Sequence, residues 1–120
     1  MLKEITAEIR KEHNRRWFTD DYIELIVWID QETVISDFQL CYDVKNIERA
    51  FTWTKARGFT HVRVDEGEEN ATRNSTPILV PAGLFPVHEI LEQFLARSAE
   101  IDARIRSFVV YKLNEYSGQI

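Results

Sequence analysis

The side chains capable of chemistry are few and scattered. The chain holds one cysteine, Cys41, and three histidines, His13, His61 and His88. The densest grouping comes from strand alternation, because successive residues of a strand point to opposite faces of a sheet. In residues 22–30, Ile23, Leu25, Val27 and Ile29 fall on one side, with Tyr22, Glu24, Ile26 and Trp28 on the other. In residues 34–42, Phe38, Leu40 and Tyr42 share a face, and Asp37, Gln39 and Cys41 oppose them. If a strand follows over 59–64, His61, Arg63 and Asp65 are expected beside Glu24, Trp28, Gln39 and Cys41. That face would hold a carboxylate, an amide, a thiol, an imidazole and a guanidinium around a tryptophan. Such a set suits a polar ligand, or acid–base work by a histidine that titrates near neutrality. The plainer reading is a solvated sheet face, polar by default.

Other chemistries find little support. No two histidines stand at helical ligand spacing, no Cys-x-x-Cys occurs, and Asp65-Glu66-Gly67-Glu68-Glu69 lacks the alternation of a calcium loop. No metal site and no cofactor is therefore expected. Cys41 sits inside a strand pattern rather than at a helix N-terminus, where a thiolate is stabilised, so it reads as a small apolar residue. No nucleophile elbow, Walker A loop or dinucleotide fingerprint is present. The segment Arg10-Lys11-Glu12-His13-Asn14-Arg15-Arg16-Trp17-Phe18 mixes cations with aromatics, as single-strand nucleic-acid binders do. It is short, however, and the chain carries a formal charge of −5, which repels phosphate backbones. Pairing of Arg15 and Arg16 with Asp20, Asp21 or the acidic loop, with Trp17 and Phe18 entering the core, fits better than nucleic-acid binding through Arg10, Lys11, Arg15 and Arg16.

These residues need a scaffold, and the chain can supply one. At 120 residues, with 44% hydrophobic and 29% charged side chains, it fits a single domain over 1–120 with its own core. A lone cysteine gives no internal disulfide, and Met1–Ile5 lacks the apolar stretch of a signal peptide. No apolar run approaches the ~20 residues of a membrane span. A cytoplasmic protein without membrane association is expected, so the sequons at Asn70 and Asn74 read as polar loop triplets.

Residues 1–65 read as mainly β, with the hairpin of 22–30 and 34–42 at its centre. Residues 47–56 fit either a helix capped by Asn46 and stopped at Gly58, or a strand dense in Phe51, Thr52 and Trp53. The strand, forming a second hairpin, is favoured. Residues 2–11 fit helix and strand equally. An acidic, polar loop over 66–76 and an extended connector over 77–85 follow. Residues 86–116 read as helical: Val87, Leu91 and Phe94, then Ile101, Ile105 and Phe108, recur at steps of four and three, with Ser98 standing where the stripe would otherwise continue between them and Pro86 suited to the first turn. One continuous helix would be ~45 Å long at 1.5 Å per residue. Either it breaks near Ser98, a plausible N-cap for a second helix, or it projects and pairs with another chain.

The expected fold is α+β: an antiparallel β-meander of four to five strands, packed on one face by a long C-terminal helix, whole or broken. The leading functional expectation is a non-catalytic binding or interaction domain. It would homodimerise through Ile101, Ile105 and Phe108. The alternative is a small-molecule-binding protein or enzyme using Glu24, Trp28, Gln39, His61 and Arg63.

Overall fold

A computed structural model describes residues 1–5, 14–65, 78–81 and 83–119. The acidic loop expected over 66–76, most of the ambiguous 2–11 segment, and Arg10, Lys11 and His13 lie outside these residues.

The fold is α+β, as the residue pattern implies. Seven strands follow one another in chain order: β1 (Lys3–Glu4), β2 (Arg15–Thr19), β3 (Ile23–Ile29), β4 (Ile35–Tyr42), β5 (Arg49–Thr54), β6 (Gly58–Asp65) and β7 (Ile78–Pro81). Each pairs antiparallel with its predecessor, giving an open meander in the order β1-β2-β3-β4-β5-β6-β7. The expected four to five strands were too few. The short edge strand β1 was hidden in an ambiguous segment, and β2 in a stretch whose charges masked its alternation.

Two helices follow, α1 (Val87–Arg97) and α2 (Ala103–Gln119). The helical stretch therefore breaks near Ser98, as the first of the two alternatives required. Ser98 does not cap the second helix, though. It ends α1, is fully buried, and its Oγ accepts from Arg106 Nε at 2.8 Å. Asp102 opens α2 instead, its carboxylate accepting the Arg104 N–H at 2.8 Å, which satisfies a helix-end donor otherwise left unpaired.

The core lies between the helices and one sheet face. Phe18, Ile23, Leu25, Val27, Phe38, Leu40 and Phe51 are fully buried there with Ile90 and Phe94 of α1 and Val109 and Leu113 of α2. Aromatic rings fill much of the layer. Phe51 stacks on Phe85 with centroids 3.9 Å apart, and Tyr116 meets Phe51 edge-on at 5.1 Å. Phe108 packs edge-on against Trp53 at 5.3 Å and Phe38 at 6.3 Å. Lys112, only 15% exposed, lays its ammonium 4.4 Å above the Trp53 ring and bonds Glu115, a cation–π contact.

A polar clasp joins the two ends of the described chain. The Leu2 N–H donates to the Arg97 carbonyl at 2.8 Å. Arg97 Nη1 reaches Asp20 and Asp21, each at 3.0 Å. Arg16 bonds Glu4 and Asp102. Arg16 thus pairs with Glu4 and Asp102 rather than with Asp20 or Asp21, which meet Arg97, Asp20 also lying 3.3 Å from the Met1 ammonium.

No helix among the described residues is long and apolar enough to cross a membrane.

Candidate functional site

Register decides which polar side chains meet. The β5–β6 hairpin closes with Thr54 opposite Gly58, leaving Lys55, Ala56 and Arg57 in the loop. Gly58 has φ of +83°, a left-handed conformation that a residue with a Cβ adopts at a cost. This odd-length loop sets Phe51 opposite His61 and Arg49 opposite Arg63. Residues directly opposite share a face, so His61 and Arg63 stand on the helix-bearing side with Phe51. They do not join Glu24, Trp28 and Gln39. The five residues expected to converge are split between two surfaces. The expectation overlooked pairing parity: a three-residue loop puts residues 59, 61 and 63 on the face of 49, 51 and 53, and only an even-length loop would bring His61 to the face of Glu24.

His61 has a structural post. Its Nδ1 lies 3.0 Å from the Gly83 carbonyl and its Nε2 lies 2.7 Å from Tyr42 Oη. A carbonyl only accepts, so Nδ1 carries a proton, and in the neutral ring the Tyr42 hydroxyl donates to Nε2. Burial holds its pKa below the ordinary 6.5, with Arg49 adding to the effect against the Gly83 hydrogen bond. Burial pushes the Tyr42 hydroxyl up to about 12. The Arg49 guanidinium lies 4.9 Å from the Tyr42 ring centroid. This group ties β6 to the connector before α1. Arg63 is exposed, beside the β4–β5 loop, where it lines a cavity of about 460 Å³ with Lys45, Asn46 and Glu48.

The opposite sheet face is reached by neither helix among the described residues. Its side chains form rows across the strands. One row runs Trp17, Ile26, Gln39, Thr52, Thr60, and the next Thr19, Glu24, Cys41, Ala50, Val62. Gln39 donates to Thr52 Oγ1 at 3.3 Å, and the Cys41 thiol donates to Gln39 Oε1 at 3.8 Å. The Trp17 indole N–H donates to the Glu24 carboxylate. Glu24, Trp28 and Gln39 thus share the face, with Trp28 further along β3 in the row of Arg15 and Asp37. Trp17 lies here, half-buried, while Phe18 enters the core, so the two adjacent aromatics part company as strand neighbours must. Arg15 and Arg16 likewise point to opposite faces and do not form one phosphate-binding patch.

A tighter group lies in the second row. The side-chain ligand atoms of Glu24, Cys41 and Glu48 all lie within 4.8 Å of one another. Cys41 faces Ala50, the smallest side chain in the row, so space above the thiol is left for the two carboxylates. Cys41 is 4% exposed, while both glutamates are half-buried. Burial drives the thiol pKa far above its ordinary 9.0, and the charges of Glu48 and Glu24 push the same way. A free thiol so placed stays protonated and is a poor nucleophile. A sulfur and two carboxylates are, however, a donor set for a divalent cation. The sequence reading did not reach Glu48. Its signal was the alternation Glu48, Ala50, Thr52, Thr54, which becomes legible only once β5 (Arg49–Thr54) is known to be a strand.

The expected oligomer seam is spent within the chain. Ile101 and Ile105 are 8% and 3% exposed in the core, and Phe108 packs on Phe38 and Trp53. Once the helix breaks, both halves fold back on the sheet and cover these three residues, while Leu95 of the stripe stays exposed.

Comparison of the chain with family models, curated proteins and solved structures finds no match.

Proposed function

We propose that the chain is a non-catalytic binding domain whose working surface is the sheet face opposite α1 and α2. The observation that carries this reading is the row of Trp17, Ile26 and Gln39 beside Glu24 and Cys41, half-buried aromatic and polar groups on rigid strands that neither helix reaches. Ligand sites combine apolar area with a few polar groups that set orientation, and this face offers both. Catalysis is disfavoured by the separation of His61 and Arg63 from Glu24 and by the raised proton affinity of Cys41.

Binding of a small-molecule ligand is tested by mapping amide shifts with a fragment library. Hits should perturb residues 15–28, 37–41 and 50–54 together. Hits confined to the helices would refute the reading. Self-association, on this view, also runs through the sheet face rather than through Ile101, Ile105 and Phe108. Sedimentation equilibrium on the wild type and Trp28→Ala checks it: an unchanged dimer in the variant would argue against this face. A cytoplasmic setting is supported by Cys41, a reduced thiol with no cysteine partner in the chain.

A further inference from the structure

We propose that Glu24, Cys41 and Glu48 form a binding site for a thiophilic divalent cation, of which Zn²⁺ is the best fit. The inference rests on the reading of the sheet face opposite α1 and α2 as the working surface and names what one part of it holds. The three ligands come from separate places: Glu24 from β3, Cys41 from β4, and Glu48 from the residue before β5. Glu24 and Cys41 are directly paired across the ladder, so the backbone hydrogen bonds themselves hold two ligands together.

The distances suit the chemistry. With Zn–S near 2.3 Å and Zn–O near 2.1 Å, tetrahedral ligand atoms stand about 3.6 Å apart. The observed ligand atoms lie within 4.8 Å of one another, so turns of the two glutamate side chains suffice to close the set. The mixed donors exclude other common ions. Mg²⁺ and Ca²⁺ take all-oxygen shells, and Cu(I) prefers several sulfurs. Three protein ligands leave one position of a tetrahedron for water or for a donor atom of a bound ligand.

The surroundings fit a metal site better than an idle cluster. Two half-buried carboxylates are turned onto one buried thiol, so three metal-binding donors converge on one point of the sheet. On binding, the thiol proton goes to solvent and the sulfur lone pair forms the metal bond. An outer partner is also in place. The Trp17 indole N–H holds the Glu24 carboxylate. Orienting contacts of that kind accompany most metal ligands.

The test uses the full chain, stripped of metal with a chelator and titrated with Co²⁺ and then Zn²⁺. Co²⁺ should saturate at a single ion and give a thiolate-to-cobalt charge-transfer band, which Cys41→Ser should abolish. Zn²⁺ affinity, measured against a chromophoric chelator, should fall about tenfold or more in Glu48→Gln and in Cys41→Ser. Glu92→Gln, on the exposed side of α1, should bind as the wild type does. Far-UV circular dichroism checks that each variant is folded, and Glu48→Gln carries the test if Cys41→Ser is not. No saturable Zn²⁺ binding below roughly 0.1 mM would overturn the proposal. So would wild-type affinity in Glu48→Gln, since the ion would then sit elsewhere. Fragment binding at Trp17 and Trp28 without Zn²⁺ binding would sink this site alone and leave the broader reading standing.

Discussion

Replacing Asp20 with asparagine isolates one charge in the clasp that joins the sheet to α1. Asp20 is 4% exposed at its side chain. Its Oδ1 accepts the backbone N–H groups of Tyr22 at 2.8 Å and Ile23 at 2.9 Å, and its Oδ2 meets Arg97 Nη1 at 3.0 Å. Asparagine keeps the first oxygen and the turn, but it aims an amide N–H₂ at a guanidinium. The lost charge-assisted hydrogen bond contributes about 1.5–3 kcal/mol. Arg97 retains Asp21 and Gln93 as partners, so a loss near 2 kcal/mol is expected. Asp20→Ala also removes both turn bonds, each worth about 1 kcal/mol, and should cost about 4 kcal/mol. Urea unfolding followed by tryptophan fluorescence at pH 7 measures both. The dependence on pH gives a second check. Burial raises the Asp20 pKa, but hydrogen bonds from Ile23 and Tyr22 and the pairing with Arg97 outweigh it, so the folded value lies below the ordinary 3.8. The stabilisation is thus complete above the unfolded pKa and lost as pH falls through the folded one. The gap between wild type and Asp20→Asn should narrow below about pH 4. An asparagine variant within about 0.5 kcal/mol of wild type at pH 7, or a gap that persists in acid, would refute this account of the clasp.

Two further outcomes follow from the aromatic layer. His61 is held neutral, with a folded pKa below 6.5, so its contribution is present above the unfolded value and declines as pH falls. The decline is at most about 1.4 kcal/mol per pH unit. His61→Gln, which removes the titrating ring between Tyr42, Arg49 and Gly83, should flatten the fall in stability between pH 7 and pH 5, and an unchanged slope would assign the effect to other groups. Lys112→Met keeps the packed hydrocarbon but deletes the ammonium over Trp53, and should lower stability by about 1 kcal/mol in denaturant unfolding. A methionine variant as stable as the wild type would show that only the methylene chain matters there.

Much of the scaffold was legible in the residues. Ile23, Leu25 and Val27 alternate so cleanly that β3 and its buried face could be placed at once, and β4 followed from Phe38, Leu40 and Tyr42. The helical stripe from Val87 was legible for the same reason, a period tied to burial, while its break near Ser98 stood as one of two alternatives. The site was not. Whether His61 joins Glu24 depends on how many residues the β5–β6 loop holds, and Gly58 alone does not reveal where pairing resumes. The Glu24–Cys41–Glu48 group is assembled by register across three segments, so no spacing along the chain announces it. The basic stretch misled because Arg15 and Arg16, adjacent in sequence, belong to opposite faces.

The strict chain order of the meander bears on how the molecule assembles. Every strand pairs with its immediate predecessor, so each step of sheet growth closes only a short loop, and loop closure is the main entropic obstacle to β folding. The sheet can zip hairpin by hairpin without waiting for a distant segment. The clasp is the exception: Leu2, Arg16 and Asp20 must find Arg97 and Asp102 across nearly the whole chain. Contacts formed after the folding barrier slow unfolding more than they speed folding. The clasp is expected to be such a brake on unfolding, set at the seam where the first strands and the helices meet, so Asp20→Asn should raise the unfolding rate more than it lowers the folding rate.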